Sequence, residues 1–336
     1  MFKFYKLMFF LSMMTGTLIT ISSYSWMTMW IGLEINLLSI IPLMKNNNNK
    51  FSTEAAFKYF ITQSMASTLF LFTMILNINL IEQIGSFSME ILTTIFYISI
   101  FIKMGASPFH AWFPEVLEGL SWMNCLLMLT WQKIAPMIIL MQNFKLSLFT
   151  TLIIVSSAFV GSIMGLNQIS LRKIISYSSI NHIAWMLSSM SSQKMIWMIY
   201  FCIYSLVSIT IIIMLKISKT LFLHQMIILK SNKLTNIIWS LNFLSLGGLP
   251  PFIGFFPKWM TINFLVWNEN ILLSLMLILM TMISLFVYSR MMFSSLLLSS
   301  QEMLYFPKFQ IKFKFIFMNF LTLNMLLICP LILNSI

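Results

Sequence analysis

"FIKMGASPFHAWFPEVLEGL", residues 101–120, begins as the end of an apolar run and then departs from one. Lys103 sits inside the run, Pro108 and Pro114 interrupt it, and His110, Glu115 and Glu118 follow close by. The stretch has a second copy. "GASPFHAWFP", 105–114, and "GLPPFIGFFP", 248–257, share the pattern G-x-x-P-F-x-x-x-F-P, 143 positions apart. Gly and Pro are frequent in membrane helices, so either copy alone is weak, and two unrelated proline kinks used for packing are one account of both. Together they point to an internal duplication. A proline inside a helix deletes one backbone bond and frees a carbonyl, which lipid does not tolerate unless protein or water covers it. Each break is therefore a candidate hydrated site.

Outward from these breaks the chain is apolar. With 59% hydrophobic and 8% charged residues over 336 positions, it cannot cover itself with polar surface, and a soluble globular protein is excluded. Apolar runs recur along its length, each long enough as a helix to cross a hydrocarbon core of roughly 30 Å. No period-2 alternation marks a barrel. The predicted fold is an all-α polytopic transmembrane bundle of about 11 helices. They fall near 4–22, 26–44, 55–76, 90–107, 121–142, 146–166, 171–190, 195–216, 236–256, 271–293 and 313–333. The first run has the basic start of a signal peptide but lacks a small-residue cleavage site, and reads as a retained helix. Short connections predict a single membrane domain, 1–336.

On this reading the first break ends the fourth crossing and the second interrupts the ninth. Five crossings separate them, so the copies run in opposite directions. Inverted repeats with a discontinuous helix in each half are a recurrent transporter architecture. The expected halves are 1–142 and 146–293, with an extra C-terminal helix at 313–333.

The formal charge of +12 belongs to the loops rather than to a nucleic-acid surface. One set of alternate connections and chain ends holds Lys3, Lys6, Lys45, Lys50, Arg172, Lys173, Lys216, Lys219, Lys230, Lys233, Arg290, Lys308, Lys312 and Lys314. The other holds Lys145 and Lys194 with Glu82, Glu90 and Glu269. The positive-inside rule then puts the N-terminus inside and the C-terminus outside. The acids are glutamates without a single aspartate, and Phe, Met, Ile, Asn and Lys abound, as an A+T-rich organellar gene would encode. Cys125, Cys202 and Cys329 lie singly in apolar runs without metal spacing, and neither G-x-G-x-x-G nor a P-loop occurs.

Four ionisable residues in or beside these runs are singled out as lying away from any loop: Glu34, Lys103, Lys133 and Lys258. A charge near a helix centre costs roughly 2.5–3.5 kcal/mol on insertion scales, which argues for a place inside the bundle. Snorkelling of Lys103 and Lys133 toward an interface is the alternative. Burial and a nearby carboxylate act oppositely on lysine's hold on its proton, so a buried lysine with a movable glutamate can switch, whereas arginine stays charged. One glutamate and three lysines in an apolar bundle thus suit a proton relay. His182, with Ser178 and its polar neighbours in "IISYSSINHIAWMLSSM", and His110 at the first break are possible accessories, or polar residues that bond neighbouring helices.

Several ordered blocks carry a resemblance: "WIGLEINLLSIIPL" at 30–43, "STEAAFKYFITQ" at 52–63, "KMGASPFHAWFPEVLEGLSW" at 103–122, "TWQKIAP" at 130–136, "GLNQISLRKIISYSSINHIAWML" at 165–187 and "NFLSLGGLPPFIGFFPKW" at 242–259. The chain resembles the family of second mitochondrially encoded chains of NADH:ubiquinone oxidoreductase, respiratory complex I, in its arthropod form. The match thins over 77–90 and beyond 295. The resemblance implies an antiporter-like subunit of the complex I membrane arm, related to multi-subunit cation/proton antiporters, and eleven crossings fit the shorter animal form. It implies that Glu34, Lys103, Lys133 and Lys258 carry the family's essential buried charges. It also implies a mitochondrial inner membrane location with the N-terminus in the matrix and the C-terminus in the intermembrane space, among lipids and neighbouring antiporter-like chains, without nucleic acid. The chain itself is expected to hold no cofactor and no redox site. NADH, FMN, iron-sulfur clusters and ubiquinone belong to partner subunits. A stand-alone cation/proton antiporter and a structural subunit without pumping are the alternative functions.

Overall fold

The computed structural model describes residues 4–45, 49–80, 86–191, 193–228 and 241–297, and among them the regular structure is helical apart from one isolated bridge between Ser170 and Phe222. The chain divides into two compact units, Met1–Thr150 and Thr151–Ile336.

The first unit holds α1 (Phe4–Ser22), α2 (Trp26–Met44), α3 (Lys50–Leu80), α4 (Ser86–Met104), α5 (Trp112–Gly119), α6 (Trp122–Leu129) and α7 (Trp131–Asn143). Its tightest pairing is α1 on α2, where glycines face each other. A Cβ on Gly32 would lie 2.8 Å from the Gly16 carbonyl oxygen, so the two backbones pack in contact. In lipid, where apolar burial between helices gains little, such close approach is what holds a pair together. Helix α3 packs on α2, α4 and α5, and α7 on α1, α4 and α6.

The second unit holds most of α8 (Leu148–Leu166), then α9 (Leu171–Met190), α10 (Lys194–Ser218), α11 (Leu223–Ile228), α12 (described over 241–247), α13 (Phe255–Trp267) and α14 (Ile271–Leu297). Helix α9 is its centre: every residue except Arg172 and Lys173 is buried. This explains its lack of an apolar stripe, because a helix packed on all sides has no solvent face to mark. Its serines turn inward by bonding their own helix, Ser178 to Ile175 O at 2.7 Å and Ser179 to Ser176 O at 2.7 Å.

Seven spans among the described residues are long and apolar enough to cross a membrane: α1, α2, Lys50–Asn77, Trp122–Asn143, α8, α10 and Ile271–Phe293. Their outward positions carry large apolar side chains such as Phe4, Leu152, Leu272 and Phe286, a surface that suits lipid.

Ten of the eleven predicted crossings have a helical counterpart, and the eleventh, 313–333, lies outside the described residues. Two boundaries are corrected. The fourth crossing ends at Met104 rather than 107, and a separate short helix, α5, begins at Trp112 with Trp112, Phe113, Val116 and Leu117 buried. The ninth does not end at 256, because α13 continues to Trp267. The prolines and polar residues at the breaks lower the local hydropathy, so a reading by hydropathy stops short of the helix that follows each break.

Candidate functional site

Both breaks have the same backbone. Gly105 and Gly248 take left-handed φ of 73° and 80°, a conformation costly for any residue with a Cβ. Gly105 N–H donates to Phe101 O and Ile102 O, and Ala106 N–H to Phe101 O. Gly248 N–H donates to Leu244 O and Ser245 O, and Leu249 N–H to Leu244 O, which is the same cap shifted by 143 positions. The restarts match too: Phe113 N–H bonds His110 O at 2.9 Å and Phe256 N–H bonds Ile253 O at 3.2 Å. A third interruption lies at Thr130 (φ −112°, ψ −71°), between α6 and α7.

Each of the three lysines stands within about one turn of one of these interruptions. Lys103 is on the last turn of α4, Lys133 on the first turn of α7, and Lys258 on the first turn of α13. They are 8%, 2% and 6% exposed, which removes snorkelling as an account of Lys103 and Lys133 within this fold. Lys258 Nζ donates to Gly247 O at 2.7 Å, so the ammonium caps the carbonyl end of α12, where the helix dipole favours a cation. It also lies 5.7 Å from the Trp185 ring, and Lys133 Nζ lies 5.3 Å from the Phe113 ring, both within cation–π range.

Lys103 has different surroundings. It lines a cavity of about 20 Å³ together with Leu33, Asn36, Leu37, Tyr59, Gln63, Gln132 and Pro136. Asn36 and Gln132 exchange two amide hydrogen bonds of 3.0 Å, and Tyr59 OH donates to Gln132 Oε1 at 3.3 Å. Gln63 Nε2 donates to the Lys103 carbonyl at 3.3 Å. Pro136 within α7 lacks the N–H that would reach the carbonyl of Gln132, which loosens the helix at the cavity wall.

Glu34, half-buried on α2, forms no contact ion pair with Lys103; its carboxylate acts on that ammonium through the intervening space. The contact pairs of the first unit include Lys58 with Glu54 and with Glu115, both at 2.9 Å and well exposed. Glu115, the first-copy counterpart of Lys258, is thus held by Lys58 on α3 rather than turned inward.

His110 lies in the first break, half-buried, and bonds the Pro108 backbone. His182 lies beside the second break: Nδ1 meets Tyr200 OH at 2.9 Å, and its ring is 5.0 Å from that of Tyr204. A cavity of about 10 Å³ brings His182, Tyr200 and Tyr204 together with Ser245, Gly254 and Pro257, the residue before Lys258. Tyr204 and Tyr288 approach Ser179 and Ser178. Sequence reasoning missed Asn36, Gln63, Gln132 and these tyrosines. The amides were open to the argument used for the charges, since an Asn or Gln within an apolar run also needs a partner in lipid.

The family described as NADH:quinone oxidoreductase/Mrp antiporter, transmembrane, matches residues 23–284. NADH-ubiquinone oxidoreductase chain 2 of Anopheles gambiae is 43% identical over 296 residues, 88% of this chain and 86% of that one. The chain belongs to this family. The Locusta migratoria member is 44% identical over 299 residues, 88% of this chain and 87% of that one. A chain of respiratory complex I from Thermus thermophilus, 21% identical, superposes with a TM-score of 0.86 over 99% of this chain and 80% of its own, which establishes the shared fold. The family match spans both broken helices, all three lysines and Glu34.

Proposed function

We propose that this chain is a proton-translocating subunit of the membrane arm of NADH:ubiquinone oxidoreductase, seated in the mitochondrial inner membrane beside other antiporter-like chains. The observation that carries the reading is the placement of Lys103, Lys133 and Lys258, each buried in an apolar bundle within about a turn of a helix interruption. A buried ammonium is costly unless it is solvated or capped, and interrupted helices supply both free carbonyls and room for water.

In this relay Glu34 biases the protonation of Lys103, and a proton moves through water to Lys133 and on to Lys258, with His182, Ser178 and His110 as accessory groups. The halves 1–142 and 146–293 act as inverted repeats of one membrane domain, each opening a half-channel to one side, with 313–333 as an added helix. The N-terminus faces the matrix and the C-terminus the intermembrane space. Moving a proton outward costs roughly 2.3 kcal/mol per 100 mV. That energy comes from partner subunits, where NADH is oxidised and ubiquinone reduced on FMN and iron-sulfur clusters. This chain carries no redox site, and its coupling to them is conformational or electrostatic.

The test is the assembled complex in liposomes with Lys103→Ala or Lys133→Ala. The relay predicts fewer protons pumped per NADH oxidised. Unchanged pumping and unchanged quinone reduction in both variants would leave the chain a structural subunit. Cation-for-proton exchange by the isolated chain in liposomes would make it a stand-alone antiporter.

A further inference from the structure

The chamber at Lys103 is lined by groups that a proton relay does not need. Lys103 brings three N–H donors to a cavity with room for one water, and no hydrogen-bond acceptor among the described residues reaches its ammonium. The polar wall opposite is a tied cluster. Asn36 Nδ2 donates to Gln132 Oε1, Gln132 Nε2 donates to Asn36 Oδ1, and Tyr59 OH donates to the same Gln132 Oε1. Both lone pairs of Gln132 Oε1 are therefore taken.

An amide neither gains nor loses a proton under conditions a protein survives. It orients a water but does not pass a proton onward, unlike a carboxylate, an imidazole or a lysine. Buried amides that satisfy each other also hold each other in place, because parting them strands donors and acceptors away from water. Their positions are pointed. Asn36 lies two residues after Glu34 on α2, and Gln132 directly precedes Lys133 on α7. The pair thus ties the segment with the carboxylate to the segment with the next lysine, across the chamber of the first lysine.

We infer that Asn36, Gln132 and Tyr59 form a plug that, in the arrangement seen, stops a proton on Lys103 from leaving its chamber. A relative shift of α2 and α7 that parts the two amides opens it. The inference rests on the relay reading above: the plug keeps the relay from becoming a leak when no electron transfer drives it.

The assembled complex in liposomes tests this with two readouts. One is passive proton entry after an imposed pH step without NADH, followed with an internal pH dye. The other is protons pumped per NADH oxidised. Gln132→Leu is expected to raise passive entry roughly tenfold, in keeping with the loss of two or more buried hydrogen bonds, and to lower protons per NADH. The double exchange Asn36→Gln with Gln132→Asn keeps an amide on each side and is expected to return entry toward the parent level. Lys103→Ala is expected to lower pumping without raising passive entry, which separates failure of the relay from failure of the plug. Parent-level entry in Gln132→Leu overturns the plug, whatever happens to pumping. Should that variant not assemble, Tyr59→Phe, which removes one oxygen, decides in its place: a smaller rise in entry supports the plug and no rise overturns it.

Discussion

At the first break the Ile102 carbonyl accepts from the indole of Trp112 at 3.1 Å, and Lys103 is left to face its polar chamber. At the second break Phe255 stands where Trp112 stood and has no side-chain N–H to give. There a lysine caps a carbonyl two positions farther along, with Lys258 Nζ on Gly247 O. The second break is also tighter. Ala111 is an exposed residue with an ordinary side chain, whereas its counterpart Gly254 has no room for one: a Cβ would meet the Ser245 carbonyl oxygen at 1.8 Å. One backbone design therefore serves two electrostatic settings, a lysine turned toward a chamber and a lysine locked on a helix end. The break and the charge are separable features, and each can be perturbed alone.

The largest expected difference between the copies comes from that tightness. Gly254→Ala should destabilise the subunit by about 3 kcal/mol or more, since backbone must move to admit the methyl group, while Ala111→Gly should cost well under half of that. Thermal dissociation of the assembled complex, or the level of assembled subunit, measures both. Equal effects would break the comparison.

Next come the left-handed glycines. Gly105→Ala and Gly248→Ala each force a Cβ into a conformation costing about 1–2 kcal/mol. Gly248 should be the worse, because its Cβ would lie 2.9 Å from Lys258 Cδ, against 3.2 Å from Phe113 Cβ at Gly105. Gly248→Ala should also impair pumping by pushing on the lysine stem, a link that the first copy lacks. The same thermal assay and proton counts in liposomes test the order.

The smallest effect is expected at the indole. Trp112→Phe makes the first copy resemble the second and removes one hydrogen bond, a loss of about 1 kcal/mol with some packing area besides. The consequence to look for is functional: the Ile102 carbonyl keeps its bond from Gly105 N–H but regains one open lone pair beside the Lys103 segment, so pumping should fall more than stability does. A pure stability loss with pumping intact would mean that the Trp112 bond serves packing alone.

Much of this was legible in the sequence. The paired G-x-x-P-F-x-x-x-F-P motifs located both breaks, and the cost of charge in an apolar run singled out Lys103, Lys133 and Lys258 as buried residues. The extent of the broken helices was not. Hydropathy averages over a window, and Pro108, Pro114, Glu115 and Glu118 pull that average down across α5 although most of α5 is buried. The neighbours of each charge were also out of reach, because contacts such as Asn36 with Gln132 join residues 96 positions apart that carry no spacing signal. Glu34 shows the same limit. Its place in an apolar run argued for the bundle interior, whereas it is half-buried and the direct ion pairs of this unit include those of Lys58 with Glu54 and Glu115.

The central claim is that a lysine at a helix interruption moves protons rather than holding the fold together. Lys258→Met tests it most directly, by counting protons pumped per NADH oxidised by the assembled complex in liposomes. Methionine keeps most of the side-chain volume, and removing a costly buried charge offsets the Gly247 carbonyl left without its donor. The account predicts an assembled complex whose stability lies within about 1 kcal/mol of the parent and whose proton count per NADH is reduced. A variant that assembles normally and pumps the parent number of protons would contradict it.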